Sequence, residues 1–502
     1  MQGLLAARSR TVVSALRQHP LGAVVALAAL ILLLLFVRFR YLPMVDLPQH
    51  ASVIATWIDL ERSPEANADV ELNLRTPYLL AYLLVRGAAS VFDVVFSFQL
   101  VLWLAAIGNV LALALLARVL GHDPWLGLLG LPTAFGYPFY FGFLSFVLAV
   151  PLGVTCLALA ASHARGPTLV RGARLAAVAC LTLFAHGIAF AIAMIGVSAL
   201  LVRGGRSFVA RAAPLVLPAL TAAIWIGPGS SLSSVGATIF DVGWHRVIDL
   251  PAALVAFDAD DRVGLVLGLA LIALIGVSVG RPSRRPERWV QLLAAILGFC
   301  LCPIQFRGVG FISPRFASFV VPALLLAFEP RAGGVTPARR AGITVLCGTF
   351  LAVFGVRLAL FDREVQSWEA FLERLPPGLR VRSIVFDRSG EAFPGVPVFL
   401  HFLGYYQAQK GGRLGYSFTI YPSSVVRLRP GFEPPSPAGS EWSPESFDAK
   451  LEAPRFDYFV VKSEVDRSAQ LFASVPAVVL AMREGTWWGY RHSEPGARAA
   501  PP

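Results

Sequence analysis

The leading candidate for proton chemistry is Asp46, in the run Asp46-Leu47-Pro48-Gln49-His50 shortly after an apolar block over residues 21–37. A carboxylate at the membrane surface of a cavity can act as a general base, and a helix begun at Pro48 keeps His50 close to it. The same spacing also suits a plain helix start, because Asp followed two residues later by Pro is a common N-cap. Arg315, in Ser313-Pro314-Arg315-Phe316, and Arg307, in Gln305-Phe306-Arg307-Gly308, carry guanidinium groups. Such a group can grip a phosphate through two hydrogen bonds or snorkel to the membrane interface. His186 precedes Gly187 inside an apolar stretch, where it can face a substrate or satisfy a turn. Trp244 and His245 sit with Asp241 and Arg246; they can line a cavity, though a Trp-His pair more often anchors in the aromatic belt. A divalent cation needs some of Asp59, Glu61, Asp258, Asp260 or Asp261 to converge with His50. Their spacing does not dictate that, so the expected cofactor set is none, with a cation left open.

The elements that must position these side chains follow from composition. Of 502 residues, 56% are hydrophobic and 15% charged, against about 25% charged in a soluble domain. The apolar residues fall in blocks bounded by charge, Gly or Pro, and the blocks stop after residue 360. The net charge of +12 lies wholly before residue 361, because residues 361–502 carry 16 basic and 16 acidic side chains. The excess is clustered: Arg8, Arg10 and Arg17; Arg165, Arg171 and Arg174; Arg203, Arg206 and Arg211; Arg281, Arg284, Arg285 and Arg288; Arg331, Arg339 and Arg340. Short basic loops between apolar blocks mark the cytoplasmic side, which removes nucleic acid as a partner. No cysteine lies in the tail, so no disulfide is expected there.

Holding the Arg clusters on one side makes the number of crossings between them even. Residues 175–202 then read as two short helices of about 13 residues breaking near His186-Gly187, and residues 125–162 as a pair breaking at Gly136-Tyr137-Pro138. The first apolar block reads as an uncleaved span. The expected architecture is an α-helical polytopic membrane protein with about eleven transmembrane helices over 1–360. An outer loop over 38–95 carries two interfacial helices, at 49–61 and 78–92. Residues 361–502 form an extracytoplasmic α/β domain. Its expected strands are Val381 to Phe386, Val396 to Phe402, Asp457 to Val461, Ala477 to Met482 and Trp487 to Tyr490, with helices near 402–410 and 466–474. The Pro- and Ser-rich stretch 430–446 reads as a mobile loop.

A first span with an Asp at its outer end, interfacial helices, paired short spans with a His-Gly turn, a later outer Arg and an outer tail resemble the GT-C superfamily of membrane glycosyltransferases. Protein O-mannosyltransferases and lipid A aminoarabinose transferases belong to it. His401-Phe402-Leu403-Gly404-Tyr405-Tyr406, Gly411-Gly412 and Asp457-Tyr458-Phe459 are similar to tails of bacterial members. The resemblance implies that Asp46 is the base that deprotonates an acceptor hydroxyl, that Arg315 faces the donor phosphate with Arg307 assisting, and that the donor is a polyprenyl-phosphate-linked sugar. The site would then face the outer side of a bacterial inner membrane, with the N-terminus cytoplasmic and the tail periplasmic or extracellular. Asp46 is followed by Leu47, where many members carry a second acidic residue. The acceptor is open. Two other readings fit the same spans: a transporter or flippase of a lipid-linked or small substrate, and a non-catalytic scaffold whose outer domain binds a partner.

Overall fold

Three of the long helices begin at side-chain caps. The Asp93 carboxylate accepts from the amides of Val95 and Phe96, Thr168 from Arg171, and Thr336 from Arg339, each satisfying donors that a helix start leaves bare. The computed structural model describes residues 20–202, 208–226, 237–306, 309–437 and 439–493. Among the described residues, five helices are long and apolar enough to cross a membrane: α1 (Pro20–Arg38), α4 (Val94–Leu120), α5 (Leu144–Arg165), the segment Phe208–Trp225 and the 38-residue α13 (Pro337–Arg374). Shorter apolar helices lie among them, at Leu79–Ala88 (α3), Gly187–Leu201 (α7), Arg262–Ser278 (α10) and Ile312–Ala327. Along α1, Leu27, Leu30, Leu34 and Val37 are all more than half exposed, a row of side chains that water would not tolerate and lipid does. The few acids near the Arg clusters are paired: Asp123 with Arg340 at 2.6 Å and Glu329 with Arg288 at 3.0 Å.

The break at His186 falls where the sequence puts it. α6 (Leu169–Ala185) has 17 residues and α7 has 15, and His186 caps α7 by accepting from the Ile188 amide at 3.1 Å. Residues 125–162 differ from expectation. The first half is no single helix but the turns Pro124–Leu129, Gly130–Thr133 and Tyr137–Phe141, and the second half is the 22-residue α5. The reason is close packing on α4. A Cβ at Gly130 would stand 2.7 Å from the Asn109 carbonyl oxygen, and one at Gly127 only 2.4 Å from the Ala114 methyl carbon. Pro124, Pro132 and Pro138 also remove amide donors, and Asn109 repairs the ladder by donating to the Gly130 carbonyl at 2.8 Å.

α13 carries the chain through residue 360 to Arg374 and into a five-stranded sheet of order β5-β4-β7-β9-β8. Here β4 is Arg380–Val385, β5 Arg413–Leu414, β7 Tyr458–Lys462, β8 Val478–Glu484 and β9 Trp487–His492. β4 runs parallel to β5 and β7, whereas β9 is antiparallel to β7 and β8. The expected strand over Val396 to Phe402 is instead a chain of turns: Leu400 N–H donates to Pro397 O at 3.1 Å and Phe402 N–H to Phe399 O at 3.2 Å. Pro397 has no amide to offer a ladder, and Phe399 and Phe402 bury themselves against Phe361 and Trp487. The stretch 430–446 is fastened at two points, since Ser436 and Ser440 bond the buried Arg382–Glu452 pair.

The tail also grips the segment between α1 and α4. β1 (Val70–Leu72) pairs antiparallel with β6 (Val426–Leu428), and Asn73 donates to the carbonyls of Pro422 and Ser424. α2 (Leu47–Arg62) is therefore buried from Leu47 to Trp57 on nearly every side, apart from a part-exposed His50, instead of resting one face on lipid. One continuous apolar core runs from Leu32 in α1 to Trp487 in β9.

Candidate functional site

Asp46 is placed by backbone, not by its own side chain. Gln99 on α4 donates to the Phe39 and Arg40 carbonyls at 2.7 and 2.9 Å, which turns the chain as it leaves α1. The amides of Val45 and Asp46 then donate to Tyr140 O at 3.0 Å and Phe141 O at 3.1 Å. Gly142 closes this contact at φ +94°, and a Cβ there would lie 2.5 Å from the Asp46 nitrogen. Asp46 is the residue before α2, yet its carboxylate makes no capping bond. The N-cap reading of Asp46 therefore fails on geometry, and the carboxylate is left for something else.

Its nearest basic group comes from the tail. His401 Nε2 stands 3.6 Å from Asp46 Oδ1, with both side chains buried. His401 stacks on Tyr416 at 5.3 Å between centroids, and Phe418 sets its edge against both His401 and His50. Gln49, the third residue of α2, holds this tail segment: it donates to Tyr416 O at 3.3 Å and accepts from the Phe418 amide at 3.2 Å. Burial pushes the Asp46 carboxyl well above the usual carboxylate range; the Arg315 guanidinium pulls it down and Glu441 pushes it further up. A carboxylate lifted in this way is a stronger base than a solvated one.

His50 has structural partners instead of facing Asp46. Its Nε2 donates to Gly142 O at 3.1 Å, and its Nδ1 accepts from the Tyr82 hydroxyl at 2.6 Å, an arrangement that fixes the tautomer. Burial lowers its pKa to about 4, so it is a neutral clamp at pH 7. Among the described residues no three His, Cys, Asp or Glu side chains gather as a metal site requires.

Arg315 lies buried at 6% exposure with its guanidinium 4.2 Å over the Phe143 ring and 5.8 Å from Phe146. Its Nε and Nη1 are buried and have no hydrogen-bond partner among the described residues. Unpaired buried guanidinium nitrogens are costly, so their presence marks a place for an anion. His186 packs its ring on Phe146 at 5.2 Å and on Tyr78 at 5.1 Å, which puts it on the same aromatic partner as Arg315. The structure thus brings Asp46, Arg315 and His186 into one neighbourhood. All three are buried. A cavity of about 860 Å³ lies elsewhere, at the Arg118 and Arg340 ends of α4 and α13; it is apolar, contains none of these groups and has no bearing on their chemistry.

The other candidates separate. Trp244 is 77% exposed, as an interfacial anchor would be, and His245 bonds Asp241 at 3.1 Å. Neither lines the Asp46 neighbourhood, because helix α9 (His245–Ala253) turns its next residue inward instead. That residue, Arg246, is buried and donates to Phe299 O and Ser313 Oγ, both at 3.2 Å, fixing the turn that carries Arg315. Arg307 lies outside the described residues. His401 and Arg246 are the functional neighbours that sequence reasoning did not single out as site residues. Arg246 could have been found as the one Arg or Lys in the amphipathic helix His245–Ala253, whereas His401 carries no spacing signal toward Asp46 at all.

The fold places the chain among known structures. Over 96% of its length it superposes on 99% of ArnT from Cupriavidus metallidurans bound to undecaprenyl phosphate, with a TM-score of 0.57 at 10% identity. Over 93% it superposes on the arabinofuranosyltransferase AftD from Mycobacteria, with a TM-score of 0.51 at 15% identity. The chain has a GT-C-like membrane glycosyltransferase fold. It spans 40% of the AftD chain, so much of that protein has no counterpart in this GT-C-like chain. No family model matches the sequence, and no curated protein does. At such identities the GT-C likeness resides in the path of the backbone, and the site must be argued from this chain's own residues.

Proposed function

We propose that this protein is a membrane glycosyltransferase that moves a sugar from a polyprenyl-phosphate donor to an acceptor hydroxyl on the outer face of a bacterial inner membrane. The chain would cross about eleven times, the shorter apolar helices included, with its N-terminus cytoplasmic and its tail outside. The observation that carries the reading is Arg315: a buried guanidinium with two nitrogens unpartnered among the described residues, whose charge acts on the buried Asp46 carboxylate. A phosphate on Arg315 would satisfy both nitrogens, and the anomeric carbon attached to it would lie toward Asp46.

In this reading the acceptor oxygen attacks the anomeric carbon while its proton passes to Asp46. The bond from that carbon to the phosphate oxygen breaks, its electron pair leaves on the phosphate, and Arg315 stabilises the charge that develops. The rings of Tyr137, Phe141, Phe143, Phe257 and Phe311, packed at centroid distances from 4.0 Å upward beside Arg315, offer an apolar wall for an isoprenoid chain. Phe311 is held at φ +56°, a conformation a bulky residue rarely adopts and that the packing of these rings sustains. The likeness to a structure with undecaprenyl phosphate supports the same donor class.

The test uses the full chain in lipid nanodiscs with undecaprenyl phosphate as the probe. Asp46→Asn should bind undecaprenyl phosphate within about threefold of wild type and lose transfer from undecaprenyl-phosphate-linked sugars by roughly a thousandfold, within the range of acid-base contributions. Arg315→Gln should weaken binding by about tenfold or more, the loss of a charge-assisted hydrogen bond. Transfer that survives Asp46→Asn would refute the base assignment, and undiminished binding by Arg315→Gln would remove the phosphate site.

A further inference from the structure

We propose that His401, carried by the tail, is a positioning residue for Asp46: its Nε2–H donates to Oδ1 of the carboxylate and turns the other carboxylate oxygen toward the acceptor hydroxyl. The inference rests on Asp46 being the base. The two atoms stand 3.6 Å apart, a separation that a small in-plane shift of the imidazole converts into a hydrogen bond; catalytic bonds are often this long before substrate arrives.

The contact is built from both sides. Tyr416 stacks on the imidazole with 17° between planes, so the ring cannot swing away, and Gln49 of Asp46's own helix holds the Tyr416 backbone. Three residues beyond His401, Gly404 presses against Pro48 so closely that a Cβ would come within 2.2 Å of the Pro48 carbonyl oxygen. The His401 carbonyl accepts from the Gly404 amide at 2.9 Å, which couples the imidazole to that anchor. Asp46 and His401 are therefore fixed in one frame by α2 on one side and the tail on the other.

Charge gives the contact a task. The titratable groups facing Asp46 are Arg315, Glu441 and the phenols of Tyr82, Tyr137, Tyr416 and Tyr421. The phenols are neutral at pH 7, Glu441 disfavours a second carboxylate, and Arg315 favours it. Once a donor phosphate neutralises Arg315, the His401 donor is what remains to keep Asp46 ionised. Burial lowers the imidazole pKa to about 3, so His401 gives a hydrogen bond and takes no proton. During transfer the acceptor proton goes to Asp46 alone, and His401 ends as it began.

The experiment is an infrared titration of the full chain in nanodiscs with undecaprenyl phosphate bound, following the carboxylic acid band that disappears in Asp46→Asn. In His401→Phe the midpoint should rise by about one pH unit, the size of one hydrogen bond to a carboxylate. His401→Gln, whose amide nitrogen reaches the Nε2 position, should restore it, and the polar but shorter His401→Asn should not. Should His401→Phe fail to fold, the Gln and Asn pair carries the same comparison. An unshifted midpoint in His401→Phe, or equal midpoints for Gln and Asn, would overturn the proposal. If instead Asp46→Asn retains transfer while the titration behaves as described, the hydrogen bond stands and the base reading fails.

Discussion

Gly142 and Asp46 meet backbone to backbone: the Asp46 amide bonds Phe141 O at 3.1 Å, and a single added carbon on Gly142 would come 2.5 Å from the Asp46 nitrogen. That contact ties the chain leaving the C-terminal end of α1 to the start of α5. It also leaves the carboxylate unspent on capping, which is why Asp46 can face His401 and sense Arg315.

Gly142→Ala should accordingly act as a site variant at a distance. The left-handed φ alone costs on the order of 1–3 kcal/mol for a residue with a side chain, and the clash adds to it. The expected result is a lower thermal midpoint together with at least about a tenfold loss of transfer, and undecaprenyl phosphate binding should weaken too, because Phe143, the next residue, packs against Arg315. Thermal unfolding and binding measured on the same nanodisc sample check both parts.

Gln49 makes a second testable tie. Gln49→Leu leaves the Phe418 amide and the Tyr416 carbonyl without their partner, at about 1–3 kcal/mol for each buried group. Hydrogen exchange should show the Phe418 amide exchanging at least about tenfold faster, with the strand amides of β7 unchanged. Equal exchange at both places would mean that the tail is held over Asp46 by other contacts.

Arg246 and its exposed neighbours should behave differently. Arg246→Met removes the bonds to Phe299 O and Ser313 Oγ that set the Arg315 turn, and should raise the dissociation constant for undecaprenyl phosphate by about tenfold. Trp244→Ala and His245→Ala should leave it within about twofold, because the first is exposed and the second bonds only Asp241 among the described residues. Titration of the three variants side by side decides between the two roles.

Two buried histidines predict acid lability where the tail meets α2. His50 and His401 have folded pKa values lowered by burial to about 4 and about 3, below the ordinary 6.5. Between those values and 6.5 the unfolded state binds more protons than the native state, so their contribution to stability is full above pH 6.5 and is lost as pH falls toward 3. Asp46 has the opposite sign, since burial raises its pKa and the native state then holds a proton that the unfolded state releases above 3.8. Two histidines outweigh one carboxyl between about pH 4 and 6.5, so the thermal midpoint should fall on acidification through this window. His50→Phe leaves His401 and Asp46 opposed and should nearly abolish that slope, and a midpoint that rises toward pH 4 in the unsubstituted protein would contradict the assignment.

The sequence by itself determined the features that depend on solvent and on local chain chemistry. Apolar blocks demand lipid whatever their neighbours, the Arg clusters mark loops, and a His-Gly pair inside an apolar stretch breaks a helix because it caps the next one. Asp46 and Arg315 were legible for the same reason, as charged groups at the ends of spans. Only the tertiary structure decided what those charges face. Whether Asp46 caps α2 or stands free depends on Tyr140, Phe141 and Gly142, which lie far along the chain. Arg315 Nε and Nη1 lack a hydrogen-bond partner among the described residues because Phe143 and Phe146 pack against the guanidinium, and His401 reaches Asp46 because α2 is clamped between the helices and the tail. Val396 to Phe402 looked like a strand because an apolar run fits either a ladder or a packed turn, and only the rings of Phe361 and Trp487 distinguish the two. Contacts between residues hundreds of positions apart leave no periodicity and no spacing, because they arise from the packing of elements whose own sequences encode only their separate solvent preferences.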